Sequence, residues 1–229
     1  FNDVRDYEAD RKHPDKKKRP VAAGELSRQA ALSASAGLGV AGLALSWGLD
    51  PGFLGAAGGY LTLAASYSLY LKHAALLDVF VIAAGFVIRA VAGALAVRVE
   101  ISPWLLVLTF LLALFLGFAK RRQEFHLLSG KAAAHRSSLS DYSGPLLDVL
   151  IAVLAATTIV CYALYSFTSH QPRRMMYTTP FVVYGLFRYL YLIYQKGAGG
   201  SPERVLLRDR PTLVNVALWI LACGWVLRG

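Results

Sequence analysis

The sequence opens with Asn-Asp-Val-Arg-Asp-Tyr-Glu-Ala-Asp at residues 2–10, the stretch that says most about its fold and chemistry. On a helix, Asn2, Asp6 and Asp10 lie one turn apart on a single face, and Asp3 lies beside them. Carboxylates at such a short separation repel one another, so the pattern predicts a bound cation. Mg²⁺ suits such a site because it takes oxygen ligands and keeps substrate phosphates in its coordination shell. The alternative is an exposed acidic helix end, neutralised by the lysines that follow.

The composition is that of a membrane protein. Of the 229 residues, 56% are hydrophobic and only 17% are charged, whereas soluble domains are typically about 45–50% apolar. The two cysteines, Cys161 and Cys223, each lie inside an apolar run, which indicates core positions and not a disulfide or a metal site. The net charge is +10. In a membrane protein, basic residues primarily determine how the chain is oriented in the bilayer, so we predict no nucleic-acid partner.

Seven apolar segments predict helices that cross a bilayer, which takes about 20 residues; amphipathic flanks can extend the shorter ones. They cover approximately residues 26–47, 53–71, 76–97, 104–118, 146–167, 180–194 and 213–227. These segments predict an all-α, polytopic transmembrane helical bundle, with residues 1–229 forming one domain.

The loops between these segments differ strongly in charge. When they are placed alternately on two sides, one side holds all but five of the 24 Lys and Arg residues. The exceptions are Arg89, Arg98, Arg173, Arg174 and Arg228. By the positive-inside rule the basic side is cytoplasmic, and the acidic stretch lies on that same side. We therefore predict a cell-membrane protein with a polar active cavity open to the cytoplasm.

Several basic and aromatic residues on this side are candidate anion ligands. Tyr67 and Lys72 lie at a cytoplasmic turn, where a phenol and an ammonium could hold a phosphate, although most such tyrosines are interfacial aromatics. Lys120 and Glu124 are spaced i, i+4 and could be a plain ion pair. Arg188 either anchors its helix or contributes to a pocket for an anionic substrate. The sequence contains no zinc-type spacing, nucleophile elbow, Walker A loop or dinucleotide fingerprint.

With these residues identified, the chain resembles the UbiA superfamily of intramembrane transferases. The resemblance rests on three motifs: Asn2-Asp3-x-x-Asp6-x-x-x-Asp10, then Lys18-Arg19-Pro20 with Gly24, and Tyr67 to Lys72 ahead of a helix containing Asp78. It implies a nine-helix bundle whose cavity is capped by cytoplasmic loops. The acidic motif ends the second helix of that fold, so we expect two further helices before residue 1.

A second resemblance narrows the branch within the superfamily. Most members carry a second Asp-rich motif in the loop that here spans residues 120–144, and this chain does not. It has instead Lys120-Arg121-x-x-Glu124-x-His126-Leu127, Ser138-Leu139-x-x-Tyr142 and Leu207-Arg208-Asp209-Arg210. These motifs are similar to those of the decaprenyl-phosphate phosphoribosyltransferase branch. That branch transfers 5-phosphoribose from phosphoribosyl diphosphate to a polyprenyl phosphate, releases pyrophosphate, and supplies precursors for cell-envelope arabinan.

The resemblance implies roles for specific residues. Asp3, Asp6 and Asp10 are the expected catalytic Mg²⁺ ligands. The expected substrate-binding residues are Asn2, Lys18, Arg19, Tyr67, Lys72, Lys120, Arg121, Glu124, Tyr142 and Arg188. Of these, Lys120, Arg121 and Arg188 would hold the 5-phosphate, which a prenyl diphosphate lacks. The expected partners are phosphoribosyl diphosphate, a polyprenyl phosphate and the bilayer, and a homo-oligomer is compatible with the sequence.

Two other functions fit parts of the pattern. The first is a UbiA-type prenyltransferase that uses a prenyl diphosphate and an aromatic acceptor. The second is a non-catalytic transporter or scaffold in which the acidic turn binds an ion structurally. Transporters often contain internal repeats with charge at the membrane midplane, whereas this chain has no convincing repeat and its polar residues gather at one membrane face.

Overall fold

The computed structural model describes residues 1–12, 16–127, 139, 141–168, 173–197 and 202–228, and within these ranges the chain is helical without strands. The short helices of the first part are α1 (Asn2–Arg5), α2 (Tyr7–Lys12) and α3 (Pro20–Ala23). The later helices are α4 (Arg28–Trp47), α5 (Pro51–Leu69), α6 (Leu77–Ala96), α7 (Pro103–Leu127), α8 (Gly144–Thr168), α9 (Thr179–Lys196), α10 (Pro202–Arg208) and α11 (Arg210–Arg228). Single 3₁₀ segments cover Lys16–Lys18, Leu71–His73 and Arg173–Thr178.

The long helices confirm the predicted all-α membrane architecture. Each of the seven predicted segments corresponds to one helix among α4–α9 and α11. Five of these, α4, α6, α7, α8 and α11, are long and apolar enough to cross a membrane. The other two helices have a lower mean hydropathy. In α5 the cause is its glycines and serines, and in α9 it is its tyrosines together with Arg188 and Lys196. The chain is an integral multi-pass membrane protein.

One boundary differs from the prediction in a way that affects the candidate site. The fourth apolar segment ends near residue 118, but α7 continues to Leu127, so Lys120 and Glu124 lie on a helix and not in a loop. The added turns are rich in Lys, Arg, Gln and Glu, which are good helix formers. An ion pair between Arg121 and Glu124 at spacing i, i+3 supports them.

The described residues form two compact units. The first contains residues 1–102 and the described part of 129–142; the second contains the described parts of 103–128 and 143–229. The assignment of residues 1–229 to a single domain stays a prediction.

Side-chain caps mark the starts of α4 and α5 in the first unit. The Ser27 hydroxyl accepts a hydrogen bond from the Ala30 N–H at the start of α4, and the Asp50 carboxylate accepts from two N–H groups at the start of α5. Both satisfy backbone donors that have no partner within the helix. Arg89 of α6 donates to the Tyr60 hydroxyl of α5 at 3.3 Å and lies over the Phe86 ring, so two aromatic side chains contact this exposed arginine.

Candidate functional site

The acidic stretch keeps helical spacing despite a turn at Asp6. The Asp6 N–H donates to the Asn2 carbonyl at 2.9 Å, and the Asp10 N–H donates to the Asp6 carbonyl at 2.8 Å. These i to i+4 bonds carry the helical register from α1 into α2. The one-turn spacing of Asn2, Asp6 and Asp10 is therefore present in the structure.

A small apolar cluster holds the stretch in place. Val4 of α1, Val21 of α3 and Ala31 of α4 are buried against one another, with Tyr7 packed on them. Val21 belongs to α3, which begins at Pro20, a residue that is favoured in the first turn of a helix. The helix is followed by Gly24 with φ of +83°, a left-handed conformation that glycine adopts without strain. This short helix places Arg19, the residue before it, next to the carboxylates.

Arg19 joins two of the three carboxylates. Its Nη1 donates to Asp3 Oδ1 at 2.7 Å and to Asp10 Oδ2 at 3.0 Å. The Asp10 side chain is only 4% exposed, so its charge depends on a close cation. The neighbouring Lys18 is exposed. Of the two basic residues predicted here, Arg19 is the one in contact with the acidic motif.

The third carboxylate is paired with a residue distant in sequence. Lys72, from the 3₁₀ segment after α5, forms a salt bridge with Asp6 Oδ1. Asn2 Nδ2 donates to the other oxygen of Asp6 at 3.0 Å. The predicted site residues Asn2, Asp6 and Lys72 therefore lie together. Tyr67, also predicted here, is partly buried at the end of α5.

The side chains of the acidic motif offer the type of ligand that a hard divalent cation takes. Asn2 Oδ1 is buried, and the described residues provide no hydrogen-bond partner for it. Carboxylate and amide oxygens are ligands that Mg²⁺ accepts. Within the described ranges, however, no three His, Cys, Asp or Glu side chains lie close enough to hold a metal together. As they stand, Arg19 and Lys72 provide the positive charge, and metal binding by Asp3, Asp6 and Asp10 stays a prediction.

Tyr142, predicted to bind substrate, is a buried residue of the first unit. Only 4% of it is exposed, and its hydroxyl donates to Asp78 Oδ1 at 2.9 Å. The same hydroxyl accepts a hydrogen bond from the Leu76 N–H at 2.6 Å. Its neighbour Leu139 is fully buried. This hydroxyl therefore contacts protein groups at the start of α6.

In the second unit, the basic residues at the end of α7 have different environments. Arg121 is 3% exposed, and its Nη1 donates to Glu124 Oε2 at 2.5 Å. Lys120 is exposed. Glu124 thus pairs with Arg121, and the alternative of a Lys120–Glu124 pair does not describe the observed contact.

A second polar cluster in this unit was not predicted from the sequence. Arg122 Nε donates to Asp148 Oδ1 at 2.5 Å, and the Tyr194 hydroxyl donates to the same oxygen at 3.0 Å. The Arg122 guanidinium also lies 4.1 Å from the centre of the Tyr194 ring. This cluster joins α7, α8 and α9. The available signal was the lone carboxylate of Asp148 at the start of an apolar helix, a position where an acid usually has a partner.

Arg188 is held by a carboxylate at the start of α11. Its Nε and Nη2 donate to the two oxygens of Asp209 at 3.0 and 2.8 Å. Asp209 also accepts from the N–H and hydroxyl of Thr212, so it caps α11. These hydrogen bonds, led by that from Arg188, lower the pKa of Asp209 well below its usual value. The geometry favours the anchoring role for Arg188, while its contact with substrate stays a prediction.

Replacing Arg188 by Ala tests these two roles. Because the bidentate pair joins α9 to α11, we expect Arg188→Ala to lower the melting temperature, measured in detergent by a thermal-shift assay. Arg210→Ala, which removes an exposed arginine next to Asp209, is the matched control and should have little effect. Unchanged stability together with a weaker affinity for phosphoribosyl diphosphate would instead assign Arg188 to the substrate.

The low pKa of Asp209 also predicts how stability depends on pH. A carboxylate whose pKa is lower in the folded state stabilises that state above its unfolded pKa, which is about 3.9, and loses the effect as the pH falls through the folded value. The melting temperature of the unmodified protein should therefore exceed that of Asp209→Asn by a constant amount above about pH 5. The difference should shrink below about pH 4. A difference that grows on acidification would contradict this assignment.

The second unit also has a groove of about 650 Å³, which is lined mainly by apolar side chains. It is lined by the end of α8 and the first half of α9, with Phe167, Pro180 and Phe187 among its residues. Asp148 and Tyr194 lie at the opposite ends of these two helices. The groove therefore lies apart from the polar cluster.

Comparison with known proteins agrees with the fold and motifs. A multi-pass helical membrane protein whose acidic motif is paired with Arg19 and Lys72 has the features expected of an intramembrane transferase. The UbiA prenyltransferase family model matches residues 1–207. The chain belongs to this family and is a transferase, as its motifs predicted.

Curated relatives agree with the predicted branch. The chain is 33% identical over 224 residues to the decaprenyl-phosphate phosphoribosyltransferase of Mycobacterium tuberculosis, covering 97% of this chain and 74% of the relative. It is 34% identical over 236 residues to the protein of the same name from Mycolicibacterium smegmatis, covering 98% and 74%.

A solved structure supports the fold. The UbiA homolog from Archaeoglobus fulgidus bound to DMAPP and Mg²⁺ matches with a TM-score of 0.75 and 21% identity, covering 99% of this chain and 81% of that one. This similarity concerns the architecture alone.

Proposed function

We propose that this protein transfers the 5-phosphoribosyl group from phosphoribosyl diphosphate to a polyprenyl phosphate and releases pyrophosphate. The observation that carries the proposal is the pairing of the acidic motif with fixed cations: Arg19 contacts Asp3 and Asp10, and Lys72 contacts Asp6. A site with both carboxylates and fixed cations suits a metal-bound diphosphate. The names of the curated relatives support the transferred phosphoribosyl group and the polyprenyl phosphate acceptor.

The proposed reaction exchanges one bond at C1 of the ribose for another. An oxygen of the lipid phosphate forms a bond to C1, the bond from C1 to the diphosphate oxygen breaks, and pyrophosphate leaves with the electron pair. The acceptor phosphate is already an anion near neutral pH, so the protein needs no strong base. The task of the protein is to position the substrates and stabilise the leaving diphosphate.

The chain's own residues supply this stabilisation. Asp3, Asp6 and Asp10, assisted by the buried oxygen of Asn2, would hold Mg²⁺, which when bound neutralises the charge of the leaving group. When the donor binds, its diphosphate provides alternative acceptors for the Lys72 ammonium. In the second unit, Arg121 is proposed to contribute to recognition of the 5-phosphate, with Lys120 as a further cation.

We further propose that the active side faces the cytoplasm of a cell membrane and that the product serves cell-envelope arabinan synthesis. The distribution of Lys and Arg supports the orientation. The named function of the mycobacterial relatives supports the acceptor class. A cytoplasmic site would have direct access to a soluble, highly charged donor.

Pyrophosphate release tests whether the protein is an enzyme of this type. Purified protein in detergent with Mg²⁺ should release pyrophosphate only when phosphoribosyl diphosphate and a polyprenyl phosphate are both present. Release with a prenyl diphosphate and an aromatic acceptor instead would indicate a prenyltransferase. If no combination gave release, a transporter or scaffold function would be favoured.

A further inference from the structure

The segment between α5 and α6 contains a strained turn. Leu76 has φ of +66° and ψ of −52°, and the N–H of Leu77 donates to the carbonyl of Ala75 at 2.8 Å. This is the rare form of the γ-turn, which is strained for a residue with a bulky side chain. Such a conformation persists only where the surrounding structure holds it.

Tyr142 is the group that holds this turn. Its hydroxyl accepts from the Leu76 N–H at 2.6 Å and donates to Asp78 Oδ1 at 2.9 Å. Asp78 is fully buried in the first turn of α6. One hydroxyl therefore connects the strained residue to a fixed point on the next helix, and the ring that carries it is itself buried.

The same short segment carries Lys72. Consecutive turns link Lys72 to the residues that Tyr142 contacts, because the Ala74 N–H donates to the Leu71 carbonyl and the Asp78 N–H donates to the Ala74 carbonyl. Lys72 lies four residues before Leu76, and its side chain, 11% exposed, reaches Asp6. A shift of the turn would therefore move the Lys72 ammonium relative to the acidic motif.

We propose that Tyr142 is a positioning residue whose hydroxyl fixes the Leu76 turn and thereby places Lys72 at the acidic motif. This differs from the substrate contact that the motif Ser138-Leu139-x-x-Tyr142 had suggested. The kinetic part of the test rests on the proposed function, whereas the structural part does not.

The structural test is hydrogen exchange of the purified protein without substrates. In the unmodified chain, the Leu76 amide should be protected although it lies outside any helix, because it is bound to a buried hydroxyl. In Tyr142→Phe, amides of residues 71–78 should exchange at least about tenfold faster, with α5 unchanged. An unprotected Leu76 amide in the unmodified protein would overturn the proposal even if Tyr142→Phe did not fold.

The kinetic test separates positioning from a general loss of stability. Tyr142→Phe should raise the KM for phosphoribosyl diphosphate about tenfold, the size expected for one lost hydrogen bond, with a much smaller change in kcat. Tyr70→Phe removes an exposed hydroxyl from the same segment and should leave both constants unchanged. A lower kcat at constant KM, with a uniform loss of protection, would indicate a structural role and contradict the proposal.

A double-mutant cycle tests whether Tyr142 acts through Lys72. If it does, Lys72→Met should raise the donor KM strongly in the unmodified protein and have little further effect in Tyr142→Phe. Independent, multiplicative effects would exclude this route. If the unmodified protein showed no phosphoribosyl transfer, the proposed function would fail. The hydrogen-exchange experiment would still decide whether the Tyr142 hydroxyl fixes the Leu76 turn.

Discussion

Asp6→Asn is expected to reduce the rate of pyrophosphate release at least about a hundredfold, the scale seen when one electrostatic group is removed from an active site. Asp6 contacts both Asn2 and Lys72, so it joins the acidic motif to the segment that follows α5. The substitution keeps the shape of the side chain but removes the charge that, in the proposed function, holds Mg²⁺ on the leaving group. The measurement is the rate across a Mg²⁺ titration with both substrates saturating.

A neighbouring acid provides the control for this experiment. Glu8 lies in the same stretch but is exposed, so Glu8→Gln should retain the activity of the unmodified protein. The melting temperature of each variant shows whether a lost rate reflects lost structure. Full activity of Asp6→Asn at limiting Mg²⁺ would remove this carboxylate from the proposed catalytic site.

Arg19→Ala is expected to destabilise the first unit by about 2 kcal/mol and to make its stability depend on Mg²⁺. Arg19 is the cation shared by Asp3 and Asp10, and Asp10 is buried. Without it, a buried carboxylate loses its partner, which costs more than an exposed ion pair contributes. A divalent cation that binds the folded state would then restore part of the loss.

Thermal unfolding with and without Mg²⁺ measures this effect without an activity assay. Arg19→Lys keeps a charged donor between the two carboxylates and should retain most of the stability. Arg11→Ala is a further control, since Arg11 is exposed and packs on the Tyr7 ring. If Mg²⁺ did not raise the melting temperature of Arg19→Ala more than that of Arg11→Ala, the acidic motif would not be a metal site.

Local patterns in the sequence were sufficient to predict the helices and the acidic face. The seven apolar segments reappear as long helices because a bilayer demands length and hydrophobicity from each one. The one-turn spacing of Asn2, Asp6 and Asp10 follows from helix geometry alone. At the end of α7, polar helix formers continue the helix beyond its apolar part, so the apolar pattern alone does not give its boundary.

The partners of charged residues could not be predicted in the same way. Lys72 and Asp6 are 66 residues apart in sequence, and nothing local specifies their contact. Spacing favoured a partner for Glu124 at Lys120, but Arg121 makes the observed contact. The cluster around Asp148 was not predicted, because a single acidic residue in an apolar helix does not indicate which residue it will contact. Such pairings depend on tertiary packing, which residue type and spacing constrain only weakly.

The most direct test of the proposed function follows the ribosyl group itself. Purified protein is incubated with Mg²⁺, a polyprenyl phosphate and phosphoribosyl diphosphate labelled with ¹⁴C in the ribose, and the lipid is then extracted. The proposed function predicts label in the lipid fraction that requires the polyprenyl phosphate and is lost in Asp6→Asn. Absence of lipid label from the folded, unmodified protein, with transfer from a labelled prenyl diphosphate to an aromatic acceptor instead, would contradict it.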